Sequence, residues 1–412
     1  MNRTRAAAAA LAVAALTTVA AGPAALAATS RTAPAVTAVP RTAAAVAATQ
    51  GTAAEVPPIN QAALKAAIAG IPGADATAAE VRIGGSAGSW HGVTGVTDVR
   101  TERPAREGAR FRAGSVTKVF TTAVVLQLVA EGRIRLDGTV QEYLPGLLPE
   151  DYPAIAVGRL LDHTSGLPSP KVPGDLEWVY RTRFQKWTPE KYVAKAVENA
   201  IEFTPGTRQH YLNTNTFVAG MIIEKVTGRS YEHEVTTRIL RPVGMRDSYL
   251  PGDSVRIRGR HNHGYQVVPK GFPDSFAYGD AYLLDMTETS VTSTWASGDL
   301  ISTTADLEKF VRALFSGKVV PAAQLEPMFT VPDVTMYGTD KSAVYTSGLT
   351  RLELPGGIVA YGKTGARYGS SAGLGATRDL SRTLVYSVNS TDAKAQGQNE
   401  RTLRIALAAF AR

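Results

Sequence analysis

Apolar positions along this chain switch period twice. From Ile59, "INQAALKAAIAGI" spaces them three and four apart, which predicts an amphipathic helix ending before Pro72. "AAEVRIGG" and "SWHGVTGVTDVR" then predict two strands with a Gly-rich turn between them. A helical tract follows: "SVTKVFTTAVVLQLVAEGR", starting near Ser115 and stopping at Gly132, then "YVAKAVENAIEF", "NTFVAGMIIEKVTG" and "TADLEKFVRALFSG". "GGIVAYGKTG", "SAGLGATRD" and "RTLVYSVNS" predict strands again, the last two joined by a hairpin turn at Asp379-Leu380-Ser381, and "RTLRIALAAFA" closes as a helix. Strands at both ends with helices between predict an antiparallel sheet made from both ends and flanked by the terminal helices. The sheet portion is expected over 59–110 and 310–412, with a mostly helical region, 111–309, inserted.

Upstream of Ile59 the pattern is different. "MNRTR" carries Arg3 and Arg5, an Ala-rich apolar block follows, and "ALA" offers small residues at a cleavage position, so 1–27 reads as an export signal. The block is too short and too Ala-rich for a membrane span, and no later stretch approaches spanning length. The segment 28–58 is Ala, Thr, Val and Pro with almost no large side chains and reads as a disordered linker. A secreted protein, extracellular or cell-wall associated, is expected. The 412 residues are 44% hydrophobic, ample for a large core, and contain no cysteine, which excludes disulfides and thiolate metal sites. The net charge is +8, but Lys and Arg are scattered without runs, so nucleic acid is not an expected partner.

The chemistry centres on "GSVTKVF". Residues i and i+3 share a helix face, so Lys118 faces Ser115 in the first turn, where unpaired N–H groups and the dipole favour negative charge. Alone, the spacing is also that of a surface Ser and a surface Lys. Two further elements complete a serine acyl-transfer site: Tyr211 and Asn213 in "HYLNTNTFVAG", and Lys363, Thr364 and Gly365 in "YGKTGARYG". Ser115 is the candidate nucleophile, Tyr211 or Lys118 takes its proton, and Lys363 supplies positive field. Gly365 lets a substrate lie against the strand, and the N–H groups of Ser115 and Ala366 are candidate oxyanion donors. A free phenol has a pKa of about 10 and a free lysine about 10.4. A phenolate flanked by two ammoniums and a neutral lysine are both workable bases, so a coupled Tyr211–Lys118 unit is expected. Asn213 also suits a helix N-cap.

Ser115-x-x-Lys118, Tyr211-x-Asn213 and Lys363-Thr364-Gly365, in this order, resemble the three motifs of the penicillin-recognising serine hydrolases. "FRAGSVTKVFTTAVVLQLVAEGRIRLDGTVQEYLPGLLP", "LLDHTSGLP", "PGTRQHYLNTNTFVAGMIIEKVTGRSY" and "ASGDLISTTADLEKF" are similar to the class C β-lactamase and secreted D-alanyl-D-alanine carboxypeptidase branch. The resemblance runs from Ile59 to the C-terminus. It implies an α/β (α+β) sandwich with an all-helical domain, and an acyl-enzyme mechanism on Ser115 without metal or cofactor. It further implies peptidoglycan peptides or small acyl compounds as substrates and β-lactams as covalent ligands, with Thr364 holding the substrate carboxylate. A D-alanyl-D-alanine carboxypeptidase is the reading preferred. A class C type β-lactamase, an esterase, a D-amino-acid amidase and a non-catalytic sensing module are the alternatives. The sequence departs from the branch in three places. Lys363 stands where many carboxypeptidases have His, Trp295 falls two residues late, and Arg351 is one position off a carboxylate-binding arginine. Trp295 and Arg351 are carried as candidate binding residues.

Other motifs compete less well. Gly369-Ser370-Ser371-Ala372-Gly373 matches G-x-S-x-G, but strand-like sequence follows where an elbow needs a helix. His163 is expected to organise a turn after a helix rather than to serve a triad. His261 and His263 lack a third ligand with supporting spacing, and "EHEVT" lacks the second His of a zinc-protease helix.

Overall fold

The structure, a computed structural model, describes residues 55–394 and 399–410. The expected leader and residues 28–54 of the expected linker lie outside the described residues. The linker's last residues do not: Val56 and Pro57 are buried against the domain.

Six strands form the main sheet: β1 (Ala76–Gly84), β2 (Trp90–Gly95), β3 (Thr350–Leu354), β4 (Ile358–Arg367), β5 (Ser370–Thr377) and β6 (Thr383–Ser390), in the order β3-β4-β5-β6-β1-β2. Every neighbouring pair is antiparallel. The two ends of the chain meet where β1 pairs with β6, Val81 opposite Tyr386 and Ile83 opposite Leu384. The β5–β6 turn is closed by Asp379, whose carboxylate accepts from the Ser381 N–H and hydroxyl.

One face of the sheet is covered by α1 (Gln61–Ala67) and the closing helix Glu400–Phe410, which pack with Val81, Ile83, Tyr386 and Val388. Asn60 caps α1 by accepting from the Ala63 N–H at 2.9 Å. The closing helix is fastened by Arg401, whose guanidinium makes a two-point contact with Asp75 at 2.7 and 2.9 Å.

The opposite face carries the larger core. There α2 (Thr117–Ala130) is surrounded on nearly every side, with Phe120 stacked on Phe310 at 3.8 Å between ring centroids. Phe310 belongs to the helix Thr304–Phe315, which lies between α2 and β6. A second long helix, α3 (Asn213–Thr227), packs beside α2 and ends at Gly228, whose φ of +70° reverses the chain.

Two elements depart from the periodicity. "YVAKAVENAIEF" is helical only over Pro189–Ala196, because the Asn199 side chain turns back to the Ala196 and Ser169 carbonyls. Within the mostly helical region, Tyr265–Val268, Phe276–Tyr278 and Ala281–Asp285 form a small antiparallel sheet. No helix among the described residues is long and apolar enough to cross a membrane.

The N-terminal boundary generates a prediction. The Arg382 side chain is fully buried and donates to the Pro57 carbonyl, while Val56 joins the α1 core. Removing 55–58 is expected to lower stability by about 2–4 kcal/mol, from lost apolar burial and a stranded guanidinium. Thermal unfolding checks this; an unchanged Tm would mean that the contact contributes nothing.

Candidate active site

The turn that carries Ser115 is shaped by its contact with β4. Gly114–Val116 make a single 3-10 turn, and α2 continues from Thr117. Gly114 has φ +53°, and a Cβ there would lie 2.8 Å from the Ala366 nitrogen. From the other side, a Cβ on Gly365 would lie 2.0 Å from the Ala113 carbonyl oxygen and 2.8 Å from the Ser115 nitrogen. The absence of both side chains lets turn and strand meet backbone to backbone. This brings the Ser115 and Ala366 nitrogens into one small region. Sequence reasoning assigned Gly365 to substrate access; its immediate duty is to admit the Ser115 turn.

Ser115 is the one residue between 111 and 126 that is not buried. Lys118 lies 3.3 Å from its Oγ, and is itself 1% exposed. The Lys118 Nζ also donates to Asn213 Oδ1 at 2.7 Å and to the Ser297 carbonyl at 2.8 Å. Burial, followed by the nearby Lys363 and Lys394, holds the Lys118 pKa well below the usual lysine range. A neutral amine has two N–H bonds and one lone pair. The two short contacts use the N–H bonds, and the lone pair is left for the Ser115 hydroxyl.

Asn213 sits at the first residue of α3, with Leu212 at the cap position, so its side chain is given to Lys118 and not to capping. Ser297 went unnoticed in the sequence because it acts through its backbone. It lies in α4 (Trp295–Gly298), which is tied to α2 by Thr121 Oγ1 donating to the Ala296 carbonyl at 2.6 Å. The Thr117 hydroxyl accepts from Leu300 N–H, and the Leu300 carbonyl accepts from Ala113 N–H. The same short segment therefore supports both Lys118 and the Ser115 turn.

Tyr211 reaches the site on a segment held by Gln209. That side chain donates to the Asp162 and Tyr345 carbonyls, both at 2.8 Å. The Tyr211 hydroxyl is buried without a hydrogen bond of good geometry, and Ser115 is the polar group facing it. Burial raises its pKa far above the ordinary phenol value, outweighing the Ser115 contact, and Tyr345 pushes the same way. Of the two bases in the expected Tyr211–Lys118 unit, burial disfavours the phenolate and favours the neutral amine. Both lysines approach the ring, Lys363 at 4.5 Å and Lys118 at 5.1 Å from the centroid, and neither makes a hydrogen bond to its hydroxyl.

Lys363 is buried, donates to the Thr364 carbonyl at 3.0 Å, and has its pKa lowered to about 7 by burial. Thr364 is exposed next to it. The partner strand β3 pairs with β4 only over Ile358 to Gly362. Beyond Gly362, no strand among the described residues pairs with that edge of β4, and Thr364 is exposed there.

The remaining candidates lie elsewhere. Trp295 is a core residue: its indole N–H donates to Glu232 at 3.0 Å and its ring packs on Tyr231 and Phe217. Arg351 is on β3, opposite Tyr361, and pairs with Glu353 at 2.5 Å. Both side chains already have these partners, and none of these contacts involves Ser115. His163, at φ +63°, is buried beside Tyr211 with its Nδ1 at 3.1 Å from Asn215, and burial holds it neutral. Ser371 is the second residue of β5, opposite Ala366, with no helix after it, so the elbow motif is a strand.

Nucleophile-bearing turn, buried lysine and open strand edge define a serine hydrolase of the penicillin-binding-protein-like fold. The Beta-lactamase family profile matches residues 60–409, and the chain belongs to that family. A solved D-stereospecific amidohydrolase from Streptomyces sp. superposes with a TM-score of 0.70 at 32% identity, covering 85% of this chain and 97% of that one. "Penicillin-binding protein 4" of Amycolatopsis lactamdurans is 30% identical over 215 residues, 51% of this chain and 52% of that protein. "Esterase EstB" of Burkholderia gladioli is 30% identical over 163 residues, 37% of this chain and 41% of that protein. The chain thus spans about half or less of the length of these curated relatives.

Gly365→Ala tests the backbone contact. Its Cβ must displace the Ser115 turn, and a shift near 1 Å is expected to slow acylation about 10²-fold. Intact mass against time with a β-lactam measures the rate, and circular dichroism checks that the fold persists. Normal acylation by this variant would show that the turn has room to spare.

Proposed function

We propose that the chain is a secreted serine D-alanyl-D-alanine carboxypeptidase acting on peptidoglycan stem peptides through an acyl-enzyme. The observation that carries this reading is Ser115 Oγ facing the buried Lys118 amine, with Lys363 and Thr364 further along the open edge of β4. A peptide added as a strand on that edge would lay its scissile carbonyl at Ser115. Its terminal carboxylate would then meet Lys363 and Thr364. The basic leader followed by an Ala-rich apolar block is the support for export.

In the proposed mechanism Lys118 Nζ takes the Ser115 hydroxyl proton as Oγ bonds to the carbonyl carbon. The oxyanion is held by the Ser115 and Ala366 N–H groups. Collapse breaks the C–N bond, and Lys118 returns the proton to the leaving amine of the terminal D-Ala. Water then enters and bonds to the acyl carbon as Lys118 takes its proton; the C–Oγ bond breaks, Lys118 returns the proton to Ser115 Oγ, and the released acid ionises to a carboxylate. Tyr211 stays a neutral hydroxyl beside Ser115. The base role therefore moves from a coupled pair to Lys118. Lys118→Ala is expected to slow acylation by about 10²–10⁴-fold, and Tyr211→Phe by less. The opposite order, from acylation rates of the two variants, would return the base role to Tyr211.

A second reading is favoured by the similarity to the D-stereospecific amidohydrolase, which covers nearly all of that chain. A D-aminoacyl amidase needs no carboxylate in the leaving group. Release of D-Ala from a peptide ending in D-Ala-D-Ala, compared with ammonia from the matching D-Ala amide, separates the two. The carboxypeptidase reading expects the peptide to be faster and a penicilloyl adduct to last minutes or longer; a preferred amide defeats it. Ser115→Ala should lose both activities and the adduct.

Lys363 adds a pH signature. Its pKa falls from 10.5 to about 7 on folding, so above about 7 it loses charge, and kcat/KM for a carboxylate-bearing peptide should fall. A neutral ester should lack this alkaline limb. The linkage has one sign: between pH 7 and 10.5 the unfolded chain holds the extra proton, so this group's contribution to stability rises with pH there. An alkaline limb of equal size for both substrates would remove Lys363 from carboxylate binding.

A further inference from the structure

Away from Ser115, a cavity of about 470 Å³ opens between the loop after β2 and the segment before Tyr265. Arg103, Arg106, Arg260, His261 and His263 line it, and no carboxylate does. Its walls are built by backbone bonds. The Thr97 N–H donates to the Arg103 carbonyl at 2.7 Å, and the His263 N–H donates to the Thr97 carbonyl at 2.8 Å. The Arg110 N–H donates to the Arg260 carbonyl at 2.8 Å. Gly259, at φ +80°, turns the chain at the rim, and a Cβ there would strike the Arg110 guanidinium.

The nearby carboxylates are already engaged. Asp247 pairs with Arg110 at 2.7 Å, Asp285 with Arg100 at 2.8 Å and His263 at 2.9 Å, and Glu107 with Arg82 at 3.5 Å. Asp98 accepts from the Tyr265 hydroxyl at 2.7 Å. Arg260 donates to the Glu107 backbone carbonyl at 3.1 Å, and among the described residues no carboxylate pairs with Arg103, Arg106 or Arg260. Three exposed arginines from two segments thus line one concave space without a carboxylate partner among the described residues, next to two imidazoles stacked at 6.1 Å. Positive charges gathered on one concave surface attract an anion, an attraction that salt weakens.

We propose that this cavity binds a phosphate group, borne on a small phosphoester or on one unit of a phosphodiester chain. A tetrahedral oxyanion presents oxygens to donors arriving from several sides, and guanidinium forks match them. The volume exceeds that of a phosphate alone and leaves room for the organic group attached to it. This ligand is separate from the acyl donor at Ser115.

Titration calorimetry on the full chain tests it, with inorganic phosphate, glycerol 3-phosphate and soluble poly(glycerol phosphate). Sodium acetate and chloride at matched ionic strength are the controls. One-site saturable binding of glycerol 3-phosphate is expected, weakened about tenfold or more in Arg103→Gln/Arg106→Gln/Arg260→Gln, with β-lactam acylation of Ser115 unchanged. Tighter binding of the polymer per phosphate points to a chain, and equal binding to the small ester. If the triple variant is poorly folded, Arg103→Gln/Arg106→Gln replaces it, since those two side chains hold nothing in the fold. No saturable binding by any phosphate, or equal affinity in the variant, overturns the proposal.

Discussion

The backbone contact between the Ser115 turn and β4 is the constraint on which the site depends. Two missing side chains, at Gly114 and Gly365, let a helix start press against a sheet strand at a distance that no Cβ would allow. That contact joins the two halves of the molecule, because α2 belongs to the helical core and β4 to the sheet. It also decides where a carbonyl oxygen can be received. Without it there is a buried lysine and an open strand edge, but no common point at which they act.

The second requirement is dryness around Lys118. A helix buried on nearly all sides is an unfavourable place for an ammonium. The fold tolerates the lysine by giving its nitrogen two close oxygen acceptors, one from α3 and one from α4. Burial then favours the neutral amine, which is the form able to take a proton. Core packing and basicity are here one property: the apolar side chains that stabilise α2 also tune its lysine.

The legible parts of this protein were those written in side chains. Ser115, Lys118, Tyr211, Asn213 and Lys363 announced themselves by type and spacing, and the structure gathers all five. The sheet built from both ends followed from where the period of two returned. What stayed hidden is written in the backbone. The Ser297 carbonyl has no side-chain signature, and the role of Gly114 depends on what lies across from it. Trp295 and Arg351 were carried from near-matches in position, and position alone does not show that Glu232 and Glu353 are their partners. Tyr211 was placed correctly near two lysines, but spacing cannot say whether they meet its ring or its oxygen. The three short strands between Tyr265 and Asp285 fell below the length at which alternation is distinctive.

The pairing of β1 with β6 has a bearing on how the molecule assembles. Ala76 and Ser390, more than three hundred residues apart, are partners in the same ladder. A ladder closed over that distance forms late, since the entropy of joining its ends must be met before its bonds are gained. Until then β1 presents a long, mostly apolar edge that other chains can add to. A ribosome-bound chain cannot complete its sheet until β6, near the end of the chain, has been made.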